Sequence, residues 1–253
     1  MLEIDVLLAL RPQQEKHILQ AATHVYSQNF EDAIIAEIFR RIGTRTKTFV
    51  EIGVFDGIEC NTRLLLERGW RGVWIEGDAT ALLRARKLMS PYLQNGQLQI
   101  VQSKVTPGNV QDLINSSIAG PIDFLSVDVD YNTSHIWRAV SARARASCIE
   151  YNASHPPTCE WEVTYDESCV WDGTNHYGAS LKTLELIGRQ KRQSLVGCDI
   201  HGVNAFFVND EECGDMFIQP CTAEQHFEPP RFSMIGHRGH RPKDIPRATV
   251  SAA

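Results

Sequence analysis

Apolar and polar positions along the chain fall into two alternating rhythms. Short apolar runs stand at Thr48–Ile52, Gly72–Ile75, Leu98–Val101, Ile122–Val129, Cys148–Ile149, Ser194–Cys198 and Ala205–Val208. Their length and their β-branched and aromatic content fit buried strands. Between most of them lie amphipathic stretches of helical length: Asn61–Arg68, Ala79–Met89, Val110–Ser116, Thr133–Ala142 and Ala179–Lys191. Strands alternating with helices build βαβ units, and so a mostly parallel sheet with helices on both faces. Only Asp199-Ile200-His201-Gly202 separates the last two runs, too little for a parallel crossover. The expectation is an α/β fold, a doubly wound and mostly parallel seven-stranded sheet whose last strand is antiparallel.

Two helices precede this alternation. One is expected from Gln13 to roughly Val25, and a second over Phe30–Phe39, ended by Gly43 in a left-handed conformation. Two segments break the rhythm later. Residues 152–178 form a long insertion whose Trp161, Tyr165, Trp171 and Tyr177 favour an ordered lid. The tail from Asp215 carries a His/Arg-rich run, Gly236–Lys243, read as a solvated tail with phosphate contact as the alternative. The boundaries expected are 1–45 for the N-terminal helices, 46–214 for the sheet domain including the insertion, and 215–253 for the tail.

Composition narrows the class. The 253 residues carry 25 basic and 31 acidic side chains, a net charge of -6, with 43% hydrophobic residues. That acidity disfavours a nucleic-acid-wrapping protein. No apolar stretch approaches the ~20 residues of a membrane span, and Met1–Asp5 lacks a basic leader, so a cytoplasmic protein is expected. The seven cysteines show no two-residue spacing of a zinc or redox motif and read as reduced thiols. Cys159, Cys169 and His155 offer a metal site as the alternative.

The sharpest local signal is Phe49-Val50-Glu51-Ile52-Gly53-Val54-Phe55-Asp56-Gly57, between a strand and a helix. Gly53 permits a tight turn, and Gly57 permits close approach of a ligand to the backbone. A dinucleotide fingerprint has glycine where Glu51 stands. A carboxylate there repels pyrophosphate but suits an ammonium and a sulfonium group, which S-adenosylmethionine combines with an adenosine. Glu76 ends the second strand, where an acid accepts ribose hydroxyls; Asp78 is close enough to share that task, and Ser103 completes the expected cofactor set.

Together these features resemble the Rossmann-type, S-adenosylmethionine-dependent methyltransferases. Ser27-Gln28-Asn29-Phe30-Glu31-Asp32, Phe49–Gly57, Asn61–Leu65, Trp74–Asp78, Val105-Thr106-Pro107, Asp123–Asp130, Ile149–Asn152, Tyr177–Leu181 and Leu195–Asp199 resemble a bacterial, FkbM-related methyltransferase-like family. The resemblance runs from residue 27 to about 210 and implies a methyltransferase of glycan or natural-product pathways. The chain departs from the family at Tyr131-Asn132-Thr133-Ser134-His135, where the family usually has glycine, asparagine, aspartate and an aromatic residue.

Ligands of doubly wound sheets bind beyond the carboxyl ends of the strands. Asp128 and Asp130 are expected to point the same way if the fourth strand continues through them. With Glu150 and Asn152 they make an oxygen set suited to a divalent cation such as Mg2+, which would acidify an acceptor hydroxyl. The set is similar to that of metal-dependent catechol and sugar O-methyltransferases. Asp128 is thus a candidate catalytic residue. Without a metal, His201 is the first candidate general base and His135 the second, while His176, Tyr177, Trp161 and Trp171 are candidates to meet the substrate. The expected reaction is O-methylation of a small polyhydroxylated acceptor, a sugar or natural product, with no nucleic-acid or membrane partner and with a homo-oligomer left open. The alternatives are a non-catalytic methyltransferase-like binding module, motivated by Tyr131–His135, then a nicotinamide-dependent oxidoreductase and a nucleic-acid methyltransferase.

Overall fold

The computed structural model describes residues 16–21 and 25–231. The strands are β1 (Thr48–Ile52), β2 (Arg71–Glu76), β3 (Leu98–Gln102), β4 (Ile122–Val127), β5 (Ala144–Glu150), β6 (Gln193–Cys198) and β7 (Asn204–Asn209). They form one seven-stranded sheet in the order β3-β2-β1-β4-β5-β7-β6. β1 to β5 are parallel, and β7 slots between β5 and β6, antiparallel to both. This is the doubly wound, Rossmann-like sheet with the antiparallel last strand. Asp199 builds the tight turn that reverses the chain, accepting from the His201 N–H at 2.7 Å, the Val203 N–H at 2.9 Å and the Asn204 N–H.

The helices are α1 (Glu31–Ile42), α2 (Arg63–Glu67), α3 (Ala79–Leu88), α4 (Ser90–Gln94), α5 (Val110–Ser117), α6 (Thr133–Ala139), α7 (Leu181–Gln190), α8 (Asp210–Cys213) and α9 (Ala223–His226). α1 places Ile34, Ile35, Ile38 and Phe39 on one stripe, with acids in its first turn and arginines in its last, as the helix dipole favours. That stripe packs on the sheet face carrying Phe49, Trp74 and Phe124. The opposite face carries Val50, Ile52, Val73, Ile75, Leu125 and Val127, covered by α5, α6 and α7 through Ile114, Trp137 and Leu184. Alternation along β1 therefore puts Glu51 on the face covered by α1, at the strand's carboxyl end.

The structure departs from expectation at several places. Within the first expected helix, the described residues form only a short 3-10 turn, Ile18–Ala21. The run Gly236–Lys243 lies outside the described residues. β4 ends at Val127 instead of continuing to Val129, because its last partners are Ile52 on β1 and Ile149 on β5. Among the described residues, no helix is long and apolar enough to cross a membrane.

Candidate active site

A cleft of about 640 Å³ opens beyond the carboxyl ends of β1, β2 and β4, at the reversal of strand order. Gly53 turns the chain out of β1 with φ +85°, and a Cβ there would lie 1.5 Å from the Asp128 carbonyl oxygen. No other residue fits. Its N–H reaches the Ile75 carbonyl at 2.9 Å, and the Asp128 N–H reaches Ile52 at 2.9 Å, so the turn is bonded to strands on both sides. Gly57 also has a positive φ, but a Cβ there would meet the Trp74 ring at 2.8 Å, and the residue stands outside the cleft lining. Its smallness serves packing.

The acids of the cofactor loop divide their work. Glu51 lines the cleft but is buried, accepting from the Asn61 N–H at 2.8 Å, the Thr62 N–H at 3.1 Å and the Thr62 hydroxyl at 2.5 Å. It therefore fastens the approach to α2, and burial pushes its carboxyl up to about 7 against those hydrogen bonds. Glu76 lines the cleft and accepts one N–H on each oxygen, from Phe55 and from Asp78, both at 2.8 Å. Each oxygen keeps a second lone pair for a ligand hydroxyl. Asp78 caps α3 through the Thr80 and Ala81 N–H groups, and Ser103 bonds the Glu76 carbonyl through its N–H; both also line the cleft.

Asp128, Asp130 and Glu150 bring carboxylate oxygens within 4.8 Å of one another. The expected route to this convergence is corrected by the structure: no strand continues through Asp128 and Asp130. Asp130 instead takes a positive φ of 55° and opens a 3-10 turn, Asp130–Asn132, that folds its side chain back toward Asp128. The Thr133 hydroxyl pins this turn, accepting from the Val129 N–H at 3.0 Å and meeting Glu150 at 3.3 Å. Asp128 and Glu150 share a hydrogen bond. Burial, then the charges of Asp128 and Asp130, push the Glu150 carboxyl well up, and burial with the Asp130 charge brings Asp128 up to about 7. Around this trio the lining is strongly acidic: Glu31, Glu51, Asp56, Glu59, Glu76, Asp78 and Glu167 join Asp128 and Asp130, against Lys104. Such a cleft attracts cations and repels anions.

The other two expected site residues stand apart from this trio. Asn152 is fully buried; its amide nitrogen donates to the Asn175 and Tyr177 carbonyls at 2.8 and 2.9 Å, and its oxygen accepts from the Ser154 N–H. It anchors the 152–178 segment. His201 is buried outside the cleft lining, stacked on Phe30 at 5.4 Å. Burial and the Arg231 charge bring its imidazole down to about 4.

Known structures trace a similar chain path. One is an O-methyltransferase from Bacillus cereus in complex with SAH, 17% identical, TM-score 0.48, aligned over 82% of this chain and 97% of that one. Another is a Klebsiella pneumoniae protein provisionally described as an O-methyltransferase, 16% identical, TM-score 0.46, over 82% and 96%. A third is the N-terminal domain of EvdMO1 with SAH bound, 11% identical, TM-score 0.46, over 72% and 80%. No protein-family model and no curated protein matches the chain. What the site does rests on its own residues.

Several lining residues escape a reading of the sequence. Glu31 and Gln28 reach the cleft from the stretch before β1, and Asn204 reaches it from the start of β7. Asn204 donates to Glu31 at 2.8 Å, while the Asn29 N–H bonds the other Glu31 oxygen at 2.6 Å. The available signal was the pair of acids opening an amphipathic helix, which also reads as an ordinary helix start. Tyr165, Glu167, Cys169 and Val170 line the cleft from the long segment. That segment is gripped by Tyr131–His135: Gly178 N–H to the Tyr131 carbonyl at 3.1 Å, Asn132 and Asp166 reciprocally at 2.8 and 3.3 Å, and His135 Nε2 with the Val163 carbonyl at 2.8 Å. The Ser134 hydroxyl adds a bond to Glu162 at 3.0 Å. His135 is thereby occupied, while Trp161 stacks on His155 at 4.0 Å and lies edge-on to His176.

Proposed function

We propose that the protein is an S-adenosylmethionine-dependent O-methyltransferase of small polyhydroxylated acceptors, a sugar or natural product, assisted by a divalent cation such as Mg2+. The observation that carries this reading is one cleft lined by a glycine turn, a second-strand acid with free lone pairs, and Asp128 and Asp130, whose oxygens converge with that of the buried Glu150. The residues present fit both groups. An acidic, nearly lysine-free lining suits a sulfonium, and a hard-oxygen trio suits Mg2+. The resemblance to FkbM-related proteins belongs to the same proposal.

S-adenosylmethionine, when bound, supplies an electrophilic methyl group. Glu76 accepts the ribose hydroxyls, and the Gly53 turn leaves the cleft floor free of side chain. Asp128, Asp130 and Glu150 would hold the cation, whose charge lowers the pKa of an acceptor hydroxyl. Asp128 lines the cleft just after β4 and is the candidate catalytic carboxylate that the chain offers at the reaction centre. The 152–178 segment covers the acceptor side and excludes water, and the protein's main contribution is orientation of the hydroxyl toward the methyl group.

Titration calorimetry of S-adenosylmethionine into EDTA-treated protein, repeated with Mg2+, tests this. Binding is expected without metal and at least about tenfold weaker in Glu76→Ala, the loss of charge-assisted hydrogen bonds. A further heat on adding Mg2+, absent in Asp128→Ala, supports the cation. No binding under either condition overturns the methyltransferase reading and leaves the binding module.

A further inference from the structure

One corner of the cleft takes no part in the reaction centre. Glu31 at the start of α1 and Asn204 at the start of β7 both line it. Asn204 pairs in register with Glu150, so the corner lies beyond β5, while Glu76 ends β2. The order β2-β1-β4-β5-β7 puts four strand spacings between β2 and β7, roughly 19 Å at about 4.8 Å each. Glu76 and this corner therefore meet different parts of what the cleft binds, and the corner stands beside the carboxylate trio. Glu31 is 1% exposed and Asn204 3%. Glu31 accepts from the Asn204 amide nitrogen at 2.8 Å and from the Asn29 N–H at 2.6 Å, both neutral donors. With its nitrogen spent on Glu31, Asn204 keeps its Oδ1 buried and without a hydrogen-bond partner in the protein. Such an oxygen is costly to bury, and a ligand that donates to it recovers the cost. Burial pushes the Glu31 carboxyl up, and its charge in turn pushes up Asp128 and Asp199. Lys104, the one basic residue of the lining, follows β3 at the opposite edge of the cleft. The corner thus offers acceptors and negative charge with no cation of its own.

We propose that Glu31 and Asn204 form a subsite for a protonated amine on the acceptor, which makes the substrate an amine-bearing polyol such as an amino sugar. The proposal rests on the methyltransferase reading of the same cleft. An ammonium group brings donors only, together with the charge that the corner lacks. It donates to the Glu31 carboxylate, whose oxygens each keep a lone pair beside the bonds they already accept, and to the Asn204 Oδ1. A hydroxyl in its place satisfies one acceptor and leaves the carboxylate uncompensated, so the corner discriminates against the neutral analogue. Both residues set specificity and do not touch the transferred methyl group.

The test is titration calorimetry on the full-length protein loaded with S-adenosylhomocysteine and Mg2+. The probes are D-glucosamine, 3-amino-3-deoxy-D-glucose and 4-amino-4-deoxy-D-glucose, with D-glucose as the neutral parent. At least one of the amines is expected to bind at least about tenfold more tightly than glucose, the effect of one charge-assisted hydrogen bond. In Glu31→Gln, which keeps an oxygen for the Asn29 N–H, that advantage should fall below about threefold while S-adenosylhomocysteine binds as before. Asn204→Ala leaves the carboxylate in place and should lose part of the advantage, about threefold; it carries the test if the melting curve of Glu31→Gln shows that this variant does not fold. No amine binding better than glucose, or an advantage that persists in the folded variants, overturns the proposal. So does a tenfold loss of S-adenosylhomocysteine affinity in Glu31→Gln, which would assign the corner to the ammonium of the cofactor. Wild-type protein that fails to bind S-adenosylhomocysteine at all, before any amine is added, marks instead the failure of the methyltransferase reading and takes the proposal with it.

Discussion

His201 shows how a residue's chemistry depends on where folding leaves it. Its ring is enclosed between Phe30 and the β6–β7 turn, 3.7 Å from Asp199, with the Arg231 charge nearby. In the unfolded chain this imidazole takes a proton near 6.5, and in the folded chain only near 4. Between those values the unfolded state binds more protons, so this group's contribution to stability falls as pH drops through that window. The difference at pH 5 is on the order of 2 kcal/mol. His201→Phe keeps the stack on Phe30 and removes the titration. The urea midpoint of the variant should therefore fall less between pH 7 and pH 5 than that of the wild type. S-adenosylmethionine binding and transfer should persist, because the ring does not line the cleft; a variant that binds the cofactor but cannot transfer would restore His201 as the base. Glu51 makes the same point from another side. Its type and its place before Gly53 are legible in the sequence, but its partners Asn61 and Thr62 meet it only when the loop closes. Spacing reveals which acids reach a cleft and leaves open which are already hydrogen-bonded when they arrive.

Elements hold their positions through a few buried polar joints that no periodicity reveals. Arg145 at the start of β5 is the main one, paired with Glu212 of α8 and with Asp123 of β4, and donating to the carbonyls of Ile42 and Gly43 at 2.9 Å each. Asp123 in turn accepts the N–H groups of Arg45, Thr46 and Lys47, which fixes the entry to β1. Removing the guanidinium leaves buried carboxylates and helix-end carbonyls without their cation. Arg145→Ala should therefore cost about 3 kcal/mol, read as a lower urea midpoint with an unchanged slope. An unchanged midpoint would show that the joint contributes no net stability. The strands and most of the helices were legible because their apolar positions repeat at the period of two or of 3.6. The end of β4 was not, since Val127-Asp128-Val129 continues the alternation while Ile52 and Ile149 offer no further partners. Pairing, which is non-local, decides where a strand stops.

At the scale of the molecule, the reversal of strand order between β1 and β4 makes the cleft, and the 152–178 segment supplies its outer wall. The stretch that grips this segment is Tyr131–His135. Residues that dock the segment thus stand beside the carboxylate trio, and Tyr165 and Glu167 are carried over the cleft. The insertion was legible as aromatic-rich and ordered, but its docking partners lie about thirty positions away in sequence and share no pattern with it. The Asn132–Asp166 exchange is the most accessible of these bonds. Asn132→Ala removes both halves, a loss of about 1.4 kcal/mol, or tenfold in local opening. Hydrogen exchange at residues 163–170 should accelerate by about that factor, while exchange in β1 and β4 stays unchanged. In the proposed enzyme the acceptor KM should rise as the wall loosens, with cofactor affinity altered less than threefold by this order-of-magnitude argument. Unchanged exchange would show that the bonds from Tyr131, Ser134, His135 and Asn152 hold the segment without this one. An equal loss of cofactor and acceptor affinity would instead place the segment over the cofactor, making it a closure for both ligands.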